Sequence, residues 1–168
     1  MDFSRLNPRR TVIGGLASLL LLASLLLMPW FALSHGAVAR QPGSANYSEA
    51  WVCGAKDYSC TGFETFPTLR WLLILAALAP VILGYILIRS HRLSWPPGEM
   101  TMVAGFAAAI LILFNGIISK PGGAFAETGL SLDYGYWIAL VSAIVIGGTG
   151  FSRSQASQRR ARKAPGTV

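Results

Sequence analysis

Four uninterrupted apolar runs set the pattern of this chain, over residues 11–33, 69–88, 100–119 and 134–151, with polar, Gly- and Pro-containing stretches between them. The first run carries no charge, and the second only Arg70 at its edge. The third has none, Asn115 being its most polar side chain. The fourth is the shortest and the richest in small residues. A hydrocarbon core of about 30 Å is crossed by about 20 helical residues. In lipid every backbone N–H and C=O must find its partner within its own segment, so runs of this kind read as helices rather than open strands. The pattern therefore predicts an all-α fold, a four-transmembrane-helix bundle over residues 11–151. A short basic segment, 1–10, precedes it. A polar basic tail, 152–168, follows it and is expected to be disordered. The loop 34–68 is the one extramembrane feature of any size.

Charge adds an orientation. The net charge is +7, and its distribution is one-sided. Arg5, Arg9, Arg10, Arg89, Arg92, Arg153, Arg159, Arg160, Arg162 and Lys163 fall on one side of the four runs, and only Arg40, Lys56, Arg70 and Lys120 on the other. Basic residues in short loops collect on the cytoplasmic face, so both termini are expected inside and loops 34–68 and 120–133 outside, in a multi-pass protein of the cell (plasma) membrane. Arginines that orient helices are not a nucleic-acid surface, and no nucleic-acid partner is expected. The bilayer itself is the expected partner, with anionic lipid at the basic tail as a further possibility.

Residues 1–39 also have the outline of a secretory signal, with a basic start, an apolar run and Ala37-Val38-Ala39 before Arg40. The apolar run is longer than a usual signal core and ends in Pro29-Trp30, so an uncleaved anchor is the favoured reading. Cleavage would leave three spans.

The two cysteines, Cys53 and Cys60, both lie in the loop that the charges place outside, where oxidising conditions permit a disulfide. The residues between them include Lys56-Asp57-Tyr58-Ser59, a turn-like composition. The expectation is a structural Cys53–Cys60 staple. A redox pair is the sharper alternative, but thiol oxidases use closely spaced C-x-x-C pairs and a second pair as relay. Around the cysteines stand Tyr47, Trp51, Tyr58, Phe63 and Phe66, with Trp30 and Trp71 at the adjoining helix ends. Trp and Tyr are ordinary interfacial anchors, so these residues form either a lid on the bundle or a partner surface centred on Trp51, Tyr58, Phe63 and Phe66.

No catalytic, cofactor or metal constellation is legible. His35 and His91 lie outside the runs on opposite sides, and no cluster of His, Cys, Asp or Glu has ligand spacing. Asn115 is read as an interhelical polar contact rather than a transport group. Small residues mark packing faces: Ala104, Gly105, Ala108 and Ala109 in the third run, and Gly135, Ala139, Ser142, Ala143 and Gly147–Gly150 in the fourth. Pro80 is expected to kink the second helix, and Trp95-Pro96-Pro97-Gly98 to make a stiff turn before the third.

Several short motifs carry a resemblance. Met28-Pro29-Trp30-Phe31, Gly62-Phe63-Glu64-Thr65-Phe66, Pro96-Pro97-Gly98 and Tyr134-Gly135-Tyr136-Trp137-Ile138-Ala139-Leu140 resemble those of small, uncharacterised four-helix integral membrane proteins of actinobacterial type. The resemblance implies topology and no activity. Arg70-Trp71 departs from it, since many such proteins have an acidic residue there, and the cysteine loop is an addition. Trp51, Cys53, Cys60 and Arg70 also resemble, at tighter spacing, the first outward loop of claudin-type proteins.

The function this implies is non-enzymatic: an accessory subunit or envelope scaffold working through helix faces and the outward loop, with other membrane proteins or itself as partner. The alternative is a small transporter or channel component built around Asn115, Ser119 and Thr101. A membrane thiol oxidoreductase comes third.

Overall fold

The computed structural model describes residues 8–33, 59–88, 98–119, 121 and 130–162. Four long helices dominate it. Helix α1 spans Pro8–Leu27, α3 Leu69–Ile88, α4 Glu99–Leu113 and α5 Tyr134–Arg162. A four-residue helix, α2, covers Gly62–Thr65, and strands β1 (Pro29–Leu33), β2 (Ser59–Thr61) and β3 (Leu130–Leu132) complete the set. Helices α1, α3 and α5, and α4 together with the turn Phe114–Ile118 that continues it, are long and apolar enough to cross a membrane. The chain is a multi-pass membrane protein by this measure.

The burial pattern is that of a bundle meant for lipid. Ala17, Leu21 and Leu25 of α1, Leu73, Ala76 and Ala77 of α3, Ala108 and Ile112 of α4, and Ala139, Ala143 and Ile146 of α5 face inward at helical spacing. The opposite faces are equally apolar and exposed, including Leu27 at 78 %, Ile110 at 65 % and Ile118 at 72 %. Helices that are hydrophobic all round require an apolar surrounding. The helices pack in the ring order α1–α3–α4–α5, and α4 against α5 is the most extensive interface.

Glycine explains why α4 and α5 come so close. A Cβ on Gly105 would strike the backbone of Gly147, and one on Gly150 would strike the backbone of Met102. In lipid such close packing stands in for the hydrophobic drive between helices.

Three features differ from the expectation or add to it. The first helix does not reach Leu33: it stops at Leu27, with Met28 N–H donating to Ser24 O at 3.3 Å. Pro29 has no N–H and pushes its predecessor away from helical geometry, so the apolar run turns into strand. The fold is mostly helical, consistent with an all-α bundle, and adds a small sheet in the order β2-β1-β3 across one end of it. The third difference concerns the tail. Helix α5 continues to Arg162 instead of ending near Phe151. Ser152–Arg162 contains no Gly or Pro and is largely Arg, Ala, Gln and Ser, which a helix accepts at little cost. Helix α3 runs unbroken across Pro80. The Trp95-Pro96-Pro97 turn lies outside the described residues, and Gly98, with φ +109°, begins α4.

Candidate functional site

The sheet is assembled from three distant stretches, each joined to a helix end. β1 follows α1, β2 runs through α2 towards α3, and β3 precedes α5. β1 is central and antiparallel to both neighbours, pairing Phe31 with Cys60 and with Leu132. Between Pro29 and Phe31 the register against β2 slips by one residue. A regular strand would send Trp30 and Phe31 to opposite faces. The bulge re-aims one of them, and both side chains end fully buried.

Trp30 is the hub of this cap. Its Nε1–H donates to Ser24 O at 3.0 Å and lies 3.1 Å from Ser24 Oγ. The Ser24 hydroxyl in turn donates to Gly135 O at 2.5 Å. One indole thereby ties the end of α1 to the start of α5. Its ring meets Phe66 edge-on at 6.2 Å and Tyr136 at 5.9 Å, and Phe31 stands 5.8 Å from Phe66. Space for the indole comes from Gly62, where a Cβ would fall 2.6 Å from the ring. Asp133 N–H donates to Trp30 O at 2.9 Å, and Asp133 Oδ1 accepts from Tyr134 N–H at 2.7 Å. The start of α5 is thus held to β1 by backbone as well as by rings.

Helix α2 is short but well capped. Thr61 Oγ1 accepts from Glu64 N–H at 3.3 Å, and Glu64 Oε2 accepts from Thr61 N–H at 3.2 Å, a reciprocal capping box. This turn sets Phe66 into the cap and leaves Phe63 half-buried beside Trp71, 6.3 Å away. The Arg70 guanidinium covers both rings, 4.6 Å from that of Phe63 and 5.4 Å from that of Trp71.

The fourth side of the cap is the end of α4, where Phe114–Ile118 widen into a π-helical turn. Such a turn shifts the backbone ladder by one residue, and the two carbonyls just before it take side-chain donors. Tyr136 O–H donates to Ile112 O at 3.2 Å, and Asn115 Nδ2–H donates to Leu111 O at 2.9 Å. Gly116 makes the close approach possible, since a Cβ there would run into the Tyr136 ring.

These contacts sort the residues expected from sequence. Of the proposed partner surface, Phe66 is a buried cap residue and Phe63 is half-buried, while Trp51 and Tyr58 lie outside the described residues. Cys60 is fully buried on β2, and Cys53 lies outside the described residues. Asn115 Nδ2–H donates to a carbonyl of its own helix, Leu111 O. Trp30 and Trp71, read alike as interfacial anchors, differ sharply: Trp30 is fully buried and Trp71 is 57 % exposed. Tyr136 enters the sequence pattern only as part of the Tyr134–Leu140 motif, although an aromatic directly after Gly135 at a helix start signals a packing role. Among the described residues no three His, Cys, Asp or Glu side chains are grouped as metal ligands.

Fold and cap together define a class, a four-span membrane protein whose helix ends are joined by a small aromatic-locked sheet. No family model, curated protein or solved structure matches the chain.

Proposed function

We propose that this protein is a non-enzymatic membrane scaffold or accessory subunit that presents the loop 34–58 to a partner from a rigid base. One observation carries the reading. The loop leaves from Leu33 at the end of β1 and returns at Ser59 on β2, two strands paired side by side and pinned to the helices through Trp30. A loop anchored at both ends loses less conformational freedom on binding than a free one, and preorganisation of this kind favours recognition. The exposed apolar helix faces supply a second means of association, with itself or with other membrane proteins.

In this reading the sheet end faces outward and both termini face the cytoplasm of a cell (plasma) membrane, as the distribution of basic residues favours. A Cys53–Cys60 bridge would close the return of the loop onto β2, adding about 2–3 kcal/mol on the chain-entropy model. The likeness to claudin-type loops and to small actinobacterial four-helix proteins belongs to the same proposal, as a likeness of local design.

The test replaces residues 36–57 with a short Gly-Ser linker in the full chain. The variant, which also lacks Cys53, should keep the helical content of the bundle, lose in stability no more than the about 2–3 kcal/mol of the proposed bridge, and lose wild-type cross-links to neighbouring proteins in native membranes. An unchanged cross-linking pattern would remove the loop as the working surface.

A further inference from the structure

At the end of the bundle opposite the sheet, two arginines from different helices reach across one another. Arg10 Nη1–H donates to Ser152 O at 2.8 Å. Arg153 Nη2–H donates back to Arg10 O at 3.3 Å and to Thr11 Oγ1 at 3.4 Å. Both side chains are half-buried. Arg153 crosses α1 near Gly14, where a Cβ would stand 3.7 Å from its Nη2 and 3.3 Å from Thr149 Oγ1. Neither guanidinium pairs with a carboxylate among the described residues. Glu99, at the same end, directs Oε1 to the Ser154 hydroxyl at 3.5 Å.

Two partly desolvated like charges held side by side by neutral acceptors are an incomplete electrostatic arrangement. Each guanidinium has five N–H donors in a planar fork, and the bonds above use one nitrogen of each. What such a pair fits is a phosphate, which accepts two forks at once.

The position in the fold names the source of that phosphate. Exposed apolar side chains begin immediately beside the pair, with Val12 at 58 % and Ile13 at 49 % on α1, and Phe151 at 47 % on α5. The guanidiniums therefore stand where the apolar belt ends, at headgroup depth, with acyl-sized apolar surface directly below them. Basic pockets between membrane helices near one face are suited to anionic headgroups.

We infer that Arg10 and Arg153 form a binding site for the phosphate of an anionic phospholipid, seated between α1 and α5 at the headgroup level. This inference rests on the four helices crossing the membrane and is independent of the scaffold reading of the sheet end. It places specific lipid recognition on two helix-borne arginines, with the residues beyond Arg153 contributing diffuse attraction.

The experiment uses the full chain in a neutral detergent, titrated in mixed micelles with phosphatidylglycerol, phosphatidylcholine or inorganic phosphate. Thermal unfolding and native mass spectrometry are the readouts. Phosphatidylglycerol should raise the melting temperature of the wild type and be retained, whereas phosphatidylcholine and inorganic phosphate should not. R10Q and R153Q should each weaken phosphatidylglycerol binding about tenfold, the loss of one charge-assisted contact. The double variant R159Q/R160Q should bind it nearly as well as the wild type. If an arginine variant is unstable in detergent, lipid retention by its folded fraction at low temperature gives the same comparison. Undiminished lipid binding by R10Q and R153Q overturns the assignment. So does an equal loss in R159Q/R160Q, which would mean diffuse attraction alone. Inorganic phosphate that matches the lipid in stabilising the protein assigns the site to a free anion and overturns the lipid source.

Discussion

Trp30→Ala and Trp71→Ala separate a structural tryptophan from an interfacial one. Both residues flank the chain segment that joins α1 to α3, and by sequence they are interchangeable anchors. In the structure Trp30 is fully buried, hydrogen-bonded to Ser24 and packed edge-on against Phe66 and Tyr136. An aromatic side chain of this size removes about 200 Å² from solvent. At about 25 cal/mol per Å² that is worth about 5 kcal/mol, and the two ring pairs add about 0.5–1.5 kcal/mol each. Part of this is recovered when neighbours relax into the space, so truncation should cost about 3–5 kcal/mol, the usual range for a buried aromatic. Trp71 is 57 % exposed and shares the Arg70 guanidinium with Phe63. Its truncation removes the buried fraction, about 2 kcal/mol by the same area, and one cation–π contact of about 0.5–1 kcal/mol, which after the same partial relaxation leaves a cost of about 1.5–2 kcal/mol.

The assay is thermal unfolding of the full chain in a mild detergent, followed by circular dichroism. For a chain of this length each kcal/mol moves the midpoint by about 2–4 °C. Trp30→Ala should therefore lower it by about 6–20 °C, and Trp71→Ala by about 3–8 °C, less than half as far. Trp30→Phe should fall between them, because the ring is kept and the N–H to Ser24 O is lost. Equal shifts for the two alanine variants would refute the reasoning, since the cap would then not depend on Trp30.

Other changes test separate parts of the packing. Tyr136→Phe removes the hydroxyl from Ile112 O and should cost about 1 kcal/mol, read as a small loss of midpoint with unchanged helicity. Gly105→Leu drives a side chain into the Gly147 backbone and should cost about 3 kcal/mol or prevent folding. Gly148→Leu, where a Cβ meets nothing within 4 Å, should be nearly neutral in the same denaturation assay. For the proposed staple, alkylation of the unreduced protein followed by intact mass measurement should add no label. Cys60→Ser should then expose one reactive thiol at Cys53 and lower stability by about 2–3 kcal/mol.

The four spans were legible because lipid imposes a requirement that any 20-residue window reveals: apolar side chains on every face. Nothing comparable marks Pro29–Leu33 as strand. Met28-Pro29-Trp30-Phe31 continues an apolar run, and only the proline signals a change. The strand exists because Ser59–Thr61 and Leu130–Leu132 arrive from either side to satisfy its backbone, and no local window contains all three. The same limit applies to the candidate site. Phe63 and Phe66 could be picked out as aromatic, but that Phe66 turns inward beside Trp30 depends on the capping box at Thr61 and the missing side chain at Gly62. Asn115 was visible as a polar residue in an apolar run. Its partner, the Leu111 carbonyl, is set by the π-helical turn that follows, which residue order does not announce.

The two ends of the bundle are held by different chemistry, and the difference bears on where each could respond to its surroundings. The sheet end is closed by buried rings and by hydrogen bonds among groups of this chain, as in Trp30–Ser24–Gly135. Such contacts complete one another and leave little to be supplied from outside. At the opposite end α5 is 29 residues long, about 43 Å at 1.5 Å per residue, and so exceeds a hydrocarbon core of about 30 Å. Its surplus carries Arg153, Arg159, Arg160 and Arg162. Arg153 is fastened to α1 through Arg10 O and Thr11 Oγ1, with no carboxylate among the described residues to neutralise it. The surplus length and the unneutralised pair lie on the same side of the bundle. A headgroup that satisfies Arg10 and Arg153 would therefore also fix the depth at which α5 leaves the membrane, and the ring α1–α3–α4–α5 with it.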